Sequence, residues 1–129
     1  MKILVPTAGF PPAKQSADYI VRIANNLSAD LVVLHVYSGT NPEPNAKAAF
    51  DVFVETANKA GINVQSRVQR GNIVDSIISV AESGEYALII MGASAGIGLE
   101  EWISSQVLHS SHLPVVVIPH AFPTKGKTK

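Results

Sequence analysis

The sequence predicts an α/β fold in which an open parallel sheet carries helices on both faces. Short apolar runs alternate with segments whose apolar residues recur at helical spacing, which is the pattern of β-α-β units. Residues 86–91 form a continuous apolar run, as expected of a strand buried on both faces. A chain of 129 residues is long enough to bury a single core. We therefore expect one domain with five strands and four helices.

The first strand is predicted at Lys2–Pro6, and Pro11 and Pro12 favour a helix start shortly afterwards. The second strand is predicted at residues 30–36. The first helix is predicted between these two strands along the chain, and it buries a stripe of apolar residues on its inner face. These residues are Ala13, Ala17, Ile20, Val21, Ala24 and Leu27.

A polar loop between Ser38 and Asn45 separates the second strand from a second helix at residues 46–60, which ends at Gly61. This loop is a possible lid, although its Gly, Pro and Asn content is not evidence of gating. Residues 62–69 alternate in hydropathy and predict a more exposed third strand. The remaining elements are a third helix after Asn72, a fourth strand at 86–91, a fourth helix at Leu99–Ser110 and a fifth strand at 114–119. We assign residues 1–121 to the domain and expect the polar, basic residues 122–129 to be disordered.

Composition excludes several classes of function. The chain has no cysteine, so disulfides, thiolate metal sites and cysteine nucleophiles are absent. Its formal net charge is zero and it has few aromatic residues, which argues against nucleic acid as a partner. The first residues turn polar too soon for a signal peptide, and no apolar run reaches membrane-spanning length. We expect a soluble, cytoplasmic protein with no membrane partner.

The glycine-rich segment 92–98 is the main candidate for a binding site. It follows the fourth strand and precedes the fourth helix, so backbone N–H groups and the helix dipole could bind an anion such as phosphate. Glycines are also common here for turn geometry alone. The segment matches neither a P-loop nor Gly-x-Gly-x-x-Gly after the first strand. Because ligands of doubly wound sheets bind beyond the carboxyl ends of the strands, the turn after Pro6 is the second candidate.

Five short stretches, in order along the chain, resemble the universal stress protein family. They are Ile3-Leu4-Val5-Pro6-Thr7, Leu34-His35-Val36, Gly71-Asn72-Ile73-Val74-Asp75-Ser76-Ile77, Ile89-Ile90-Met91-Gly92 and Pro114-Val115-Val116-Val117-Ile118-Pro119. The resemblance covers nearly the whole chain. It implies a Rossmann-like sheet of the adenine nucleotide alpha hydrolase type, with strand order 3-2-1-4-5.

The ATP-binding members of that family carry the motif Gly-x2-Gly-x9-Gly-(Ser/Thr). Counted from Gly92, the other positions fall on Ala95, Ser105 and Gln106, and the acidic residue that those members carry after Pro-Thr is Ala8 here. A left-handed alanine would cost about 1 kcal/mol, and a lost hydrogen bond at Ala8 about 1–3 kcal/mol. The resemblance therefore predicts that ATP does not bind in the standard way.

Two further features bear on this prediction. Glu100 and Glu101 fall in the first turn of the fourth helix, where they would repel a triphosphate. In the other direction, flexible glycines and serine hydroxyl groups could still hold phosphate in a shifted register. These residues are Gly96, Gly98, Ser94, Ser104 and Ser105. Three possibilities stay open: standard ATP binding, an altered pocket for a smaller anion or another nucleotide, and a pocket closed by Phe10 or other side chains.

On the resemblance, we expect a non-enzymatic stress-response or regulatory dimer with no cofactor. The alternatives are an ATP-binding member that uses Mg²⁺ for a switch or slow hydrolysis, and a module that only binds other proteins. We see no catalytic residue. The candidate nucleotide-contact residues are Pro6, Thr7, Ala8, Val36, Met91, Gly92, Ser94, Gly96, Gly98, Ser105, Gln106 and Val107.

The histidines are weaker candidates. His109 and His112 have a spacing seen in some metal sites, but no further ligand lies at suitable spacing, so roles at a helix C-terminus are favoured and no metal site is predicted. His35 ends the second strand and could border the cleft, although a hydrogen-bonded histidine of the core or rim is the preferred interpretation.

The fifth strand predicts how the protein assembles. Its flat apolar run, Val115, Val116, Val117 and Ile118, is expected at the sheet edge, where an exposed strand pairs readily with another chain. The resemblance also implies a homodimer joined through antiparallel last strands, an isologous contact. Pro114 and Pro119 would limit that pairing to the residues between them.

Overall fold

The computed structural model describes residues 1–7, 10–37, 44–92 and 99–118. Strands and helices alternate along these residues, as the sequence pattern predicts. Their bounds are β1 Lys2–Pro6, α1 Phe10–Asn26, β2 Asp30–Tyr37, α2 Pro44–Ala60, β3 Val64–Arg70, α3 Ile73–Ser83, β4 Tyr86–Gly92, α4 Leu99–Ser110 and β5 Val115–Ile118. Within this part of the chain, no helix combines the length and apolar composition needed to span a bilayer.

The strands form one parallel sheet in the order β3-β2-β1-β4-β5, which confirms the expected fold class and strand order. The β1–β2 register runs from Lys2 opposite Asp30 to Pro6 opposite Leu34. The chain passes from β1 outward to β2 and β3, and then returns to β4 on the other side of β1. The strand order thus reverses between β1 and β4, and the carboxyl ends of these two strands are adjacent.

A hydrophobic core lies on each face of the sheet because successive strand residues point to opposite faces. On β1, Ile3 and Val5 belong to the cluster that includes α1 and α2. Leu4 belongs to the second cluster, which includes α3 and α4. Phe53 of α2 is the bulkiest of the fully buried side chains described. The helices therefore cover both faces and leave the carboxyl edge of the sheet to the connecting segments.

Several element ends differ from the predicted ones by one or two residues. β3 begins at Val64 because Ile62 is buried in the first core cluster and does not pair within the sheet. β3 is an exposed edge strand, as predicted, but its residues do not alternate between buried and exposed. α2 begins at Pro44, since proline is tolerated in a first helical turn. The expected disorder of residues 122–129 lies outside the described residues.

Local backbone signals account for two predicted boundaries. Asn72 has extended backbone angles, and its side-chain oxygen accepts a hydrogen bond from the Asp75 N–H at 3.0 Å. It is therefore the N-cap of α3. Gly61 has φ +74° directly after α2, a conformation that glycine adopts without the steric penalty of a side chain.

Candidate functional site

The carboxyl ends of β1 and β4 bring together four of the predicted contact residues. The β1–β4 register pairs Leu4 with Ile89, and two positions further along the same strands lie Pro6 and Met91. Both of these residues are buried. Thr7 follows Pro6, and its N–H donates to the Leu34 carbonyl at 2.9 Å, so β1 remains attached to β2 up to the last residue before the turn. The strands thus hold the floor of the candidate site in one rigid arrangement.

Gly92 is the last residue of β4 and lies beside this floor. A Cβ atom at this position would lie 3.9 Å from the Ser16 hydroxyl oxygen of α1, which is ordinary van der Waals contact. Its φ is outside the left-handed region, so backbone conformation does not require glycine either. Among the described residues, neither space nor strain explains a glycine here. Without a side chain, the backbone at this position allows a bound group to approach closely.

The carboxyl end of β2 contributes two residues with different surroundings. Val36 is half-buried and packs against the cluster that includes α3 and α4. His35 is only 6% exposed, and neither of its ring nitrogens has a hydrogen-bond partner in the described part of the protein. The preferred interpretation, a hydrogen-bonded histidine, is therefore not borne out. A buried polar atom without a partner destabilises a fold by about 1–3 kcal/mol, so this arrangement needs an explanation.

α4 begins at Leu99. Ser105 and Gln106 lie in the second half of this helix and are exposed. Their backbone N–H groups are beyond the first turn and so belong to the helical hydrogen-bond ladder. Their position therefore differs from that of the N–H groups in the first turn of α4, which have no partner within the helix. Val107 is fully buried in the second core cluster.

Glu100 and Glu101 fall in the first turn of α4, as predicted, because the helix begins one residue earlier. Four predicted contact residues, Ala8, Ser94, Gly96 and Gly98, lie outside the described residues. So do Ala95 and residues 38–43 of the possible lid Ser38–Asn45, whose last two residues belong to α2.

A separate groove of about 470 Å³ runs along α3 and reaches the end of α4. It is lined by Val74, Asp75, Ile78, Ser79, Glu82, Ser83 and Ser110. None of these is a predicted site residue. At its end, the His112 ring nitrogen Nδ1 lies 2.7 Å from a Glu82 carboxylate oxygen. In the described ranges, no group of three or more histidine, cysteine or acidic residues is arranged to hold a metal ion.

The two edges of the sheet differ in length. β5 has four residues, and Val116 at its centre is 37% exposed while Ile118 is buried. β3, at the opposite edge, has seven residues and carries Val68, which is 46% exposed. The expected edge position of the fifth strand is confirmed.

Comparisons with known proteins agree with this architecture. Residues 1–119 match the family model described as the universal stress protein family. Among curated proteins, the chain is similar to universal stress protein MJ0531 of Methanocaldococcus jannaschii. The two are 23% identical over an alignment 137 residues long, and the alignment covers 91% of this chain and 81% of that protein.

Solved structures of low sequence identity share the fold. A universal stress protein in complex with cAMP has a TM-score of 0.76 at 20% identity, covering 94% of this chain and 98% of that one. The universal stress protein of Archaeoglobus fulgidus in complex with dAMP has a TM-score of 0.73 at 17% identity, with coverages of 92% and 97%. A family protein of Arabidopsis thaliana with AMP bound has a TM-score of 0.72 at 14% identity, with coverages of 98% and 96%.

Proposed function

The chain belongs to the universal stress protein family, and from this premise we propose that it is a non-enzymatic regulatory protein that binds an adenine mononucleotide. The site is the carboxyl edge of β1, β2 and β4, where Thr7 and Gly92 lie. The nucleotide carries one phosphate, and ATP is not bound in the standard way. Binding acts as a signal and uses no metal.

The position of the start of α4 carries this proposal. Since α4 begins at Leu99, Ser105 and Gln106 lie in its second half, away from the helix N-terminus that follows Gly92 along the chain. The first turn of α4 also contains Glu100 and Glu101, whose carboxylates oppose the charge of a triphosphate. One phosphate at the turn needs fewer backbone N–H groups and meets less repulsion. The ligands of the three structures of the same fold, cAMP, dAMP and AMP, each have a single phosphate.

Thermal unfolding with added nucleotide tests the proposal, because a ligand that binds only the folded state stabilises it. At a hundred times its Kd, AMP is expected to stabilise the protein by about 2.7 kcal/mol. ATP with Mg²⁺ at the same concentration should shift the melting temperature less. Ser79→Ala is a suitable control, since Ser79 lines the α3 groove and not the carboxyl edge. If Ser79→Ala loses the rise in melting temperature that AMP causes in the wild type, the nucleotide binds in the α3 groove.

Two further results would contradict the proposal. One is an equal or larger shift with ATP and Mg²⁺, which would favour the ATP-binding alternative and call for a hydrolysis assay. The other is no shift with any nucleotide, together with no nucleotide in the mass spectrum of material released from denatured protein. That result would favour a module that binds only other proteins.

A homodimer joined through β5 and a cytoplasmic location complete the proposal. β5 is an edge strand, so its outer backbone groups are available to a second copy. Val116, 37% exposed on this strand, would be covered by antiparallel pairing with its counterpart. A twofold arrangement closes on itself and leaves no further edge at that end of the sheet.

A further inference from the structure

We infer that His35 binds the nucleoside part of the ligand, an inference that rests on the proposed mononucleotide site. His35 is 6% exposed, and both of its ring nitrogens lack a hydrogen-bond partner among the described residues. A neutral imidazole has one donor and one acceptor. Buried groups of this kind are nearly always paired in folded proteins, and exceptions call for a specific explanation. A ligand that supplies the missing partners is such an explanation.

The position of His35 places it at the proposed site. The last β1–β2 register pair joins Pro6 to Leu34, so His35 lies one residue further toward the carboxyl edge. Thr7 follows Pro6 in the same way, and its N–H reaches the Leu34 carbonyl. Thr7 and His35 are therefore neighbours on adjacent strands. The ring lies at the edge of the core and not in its middle.

Strand alternation shows which face of the sheet carries the ring. Leu31 and Val33 of β2 pack in the cluster that includes α1 and α2, and His35 continues this series two residues later. Val36 packs in the cluster on the opposite face. Of the three side chains Leu31, Val33 and His35, only that of His35 is polar, and it lies nearest the carboxyl edge. This is the position from which a core-facing side chain meets a ligand.

The sheet order decides which part of a nucleotide His35 would contact. β4 and β2 lie on opposite sides of β1. Gly92 ends β4 and the N-terminus of α4 comes after it, so the phosphate is expected on the β4 side of β1. A nucleotide laid across β1 then directs its ribose and base toward β2. The imidazole donor and acceptor suit a ribose hydroxyl or a nitrogen at the edge of adenine.

Substitution of His35 tests the inference with adenosine and AMP as probes in calorimetric titrations. His35→Leu is expected to weaken both ligands by the same factor, about tenfold or more, because the lost contact is to the part they share. Without ligand, its melting temperature should equal or exceed that of the wild type, since an unpaired polar ring is replaced by an apolar side chain. His35→Gln, which keeps a donor and an acceptor, should recover part of the affinity.

Val33→Ala is the matched control on the same strand and face. It should lower the melting temperature through the cavity it creates and leave both affinities within about twofold, because Val33 is core and not edge. Two results would overturn the inference. One is wild-type affinities in His35→Leu, whether or not its stability falls as in Val33→Ala, and the other is weakening of AMP alone.

Nuclear magnetic resonance of ring ¹⁵N in the wild-type protein gives a second readout that needs no variant to fold. Addition of adenosine should shift the His35 signals and leave those of His109 and His112 in place, since these two are exposed near the far end of α4. Unchanged His35 signals in protein saturated with adenosine would overturn the inference while the mononucleotide proposal stands. If the wild type binds neither AMP nor adenosine, both fail together.

Discussion

Replacement of Gly92 by alanine should separate the stability of the fold from its capacity to bind nucleotide. The added methyl group would lie 3.9 Å from the Ser16 hydroxyl oxygen, so it needs no rearrangement of α1. Gly92 also does not have the positive φ that would strain an alanine. Alanine within a strand is more stable than glycine by about 0.5–1 kcal/mol because it loses less entropy on folding, and we expect a gain of up to this size at Gly92, which ends β4.

The substitution should change both the melting temperature and the Kd for AMP. For a domain of this size the gain corresponds to a rise in melting temperature of about 2–4 °C. The same methyl group occupies the space through which a phosphate would approach the backbone at the end of β4. We expect the Kd for AMP to rise about tenfold or more, which corresponds to about 1.4 kcal/mol. Stability and affinity should therefore change in opposite directions.

Differential scanning fluorimetry and calorimetric titration with AMP measure the two quantities. Gly61→Ala is a matched glycine substitution outside the site, between α2 and the start of β3. Gly61 has φ +74°, and no atom of the described residues lies within 4 Å of its Cβ position, so backbone strain should destabilise the fold by about 1 kcal/mol and leave AMP affinity unchanged. Wild-type AMP affinity in Gly92→Ala would refute the reasoning about close approach. A melting temperature several degrees below the wild type would refute the reasoning about packing.

The remaining predictions concern assembly and helix capping. If the proposed dimer forms through β5, Val116→Lys should convert it to a monomer in light scattering coupled to gel filtration, whereas Val68→Lys on the opposite edge should leave it intact. The reverse pattern would move the interface to β3, and a monomeric wild type would contradict the proposed dimer. Either lysine should change the unfolding free energy of the monomer by no more than about 0.5 kcal/mol, since both valines are exposed. Asn72→Ala removes the acceptor of the Asp75 N–H and should lower the free energy of unfolding by about 1 kcal/mol in urea titrations. Asn72→Ser keeps an acceptor and should retain most of the wild-type stability. Equal losses in the two variants would show that the cap does not depend on the side-chain acceptor.

The elements of the fold could be predicted because their signals are local. The continuous apolar run that ends at Met91 indicated a strand covered on both faces, and the structure places β4 in the interior of the sheet. Asn72 and Gly61 marked helix ends through their own backbone and side-chain chemistry. Errors remained at ends where tertiary packing decides. Ile62 is one case, since it resembles a strand residue and is instead buried in the connection before β3.

The candidate site was predicted less completely. Thr7 and Gly92 were expected at the carboxyl edge from the general behaviour of doubly wound sheets, and the structure places them at the ends of neighbouring strands. Ser105 and Gln106 were assigned by counting along a motif. Counting places them at exposed positions in the second half of α4, and their contact with a ligand stays a prediction.

By itself, the sequence determined the class of fold, the order of strands and helices and the family resemblance, because hydrophobic periodicity and short motifs depend only on neighbouring residues. The tertiary structure decided which residues meet at the carboxyl edge and which polar groups lack partners there. His35 is the clearest case. Its burial, and the lack of a partner for its ring nitrogens among the described residues, depend on how the chain folds, and no local pattern records them.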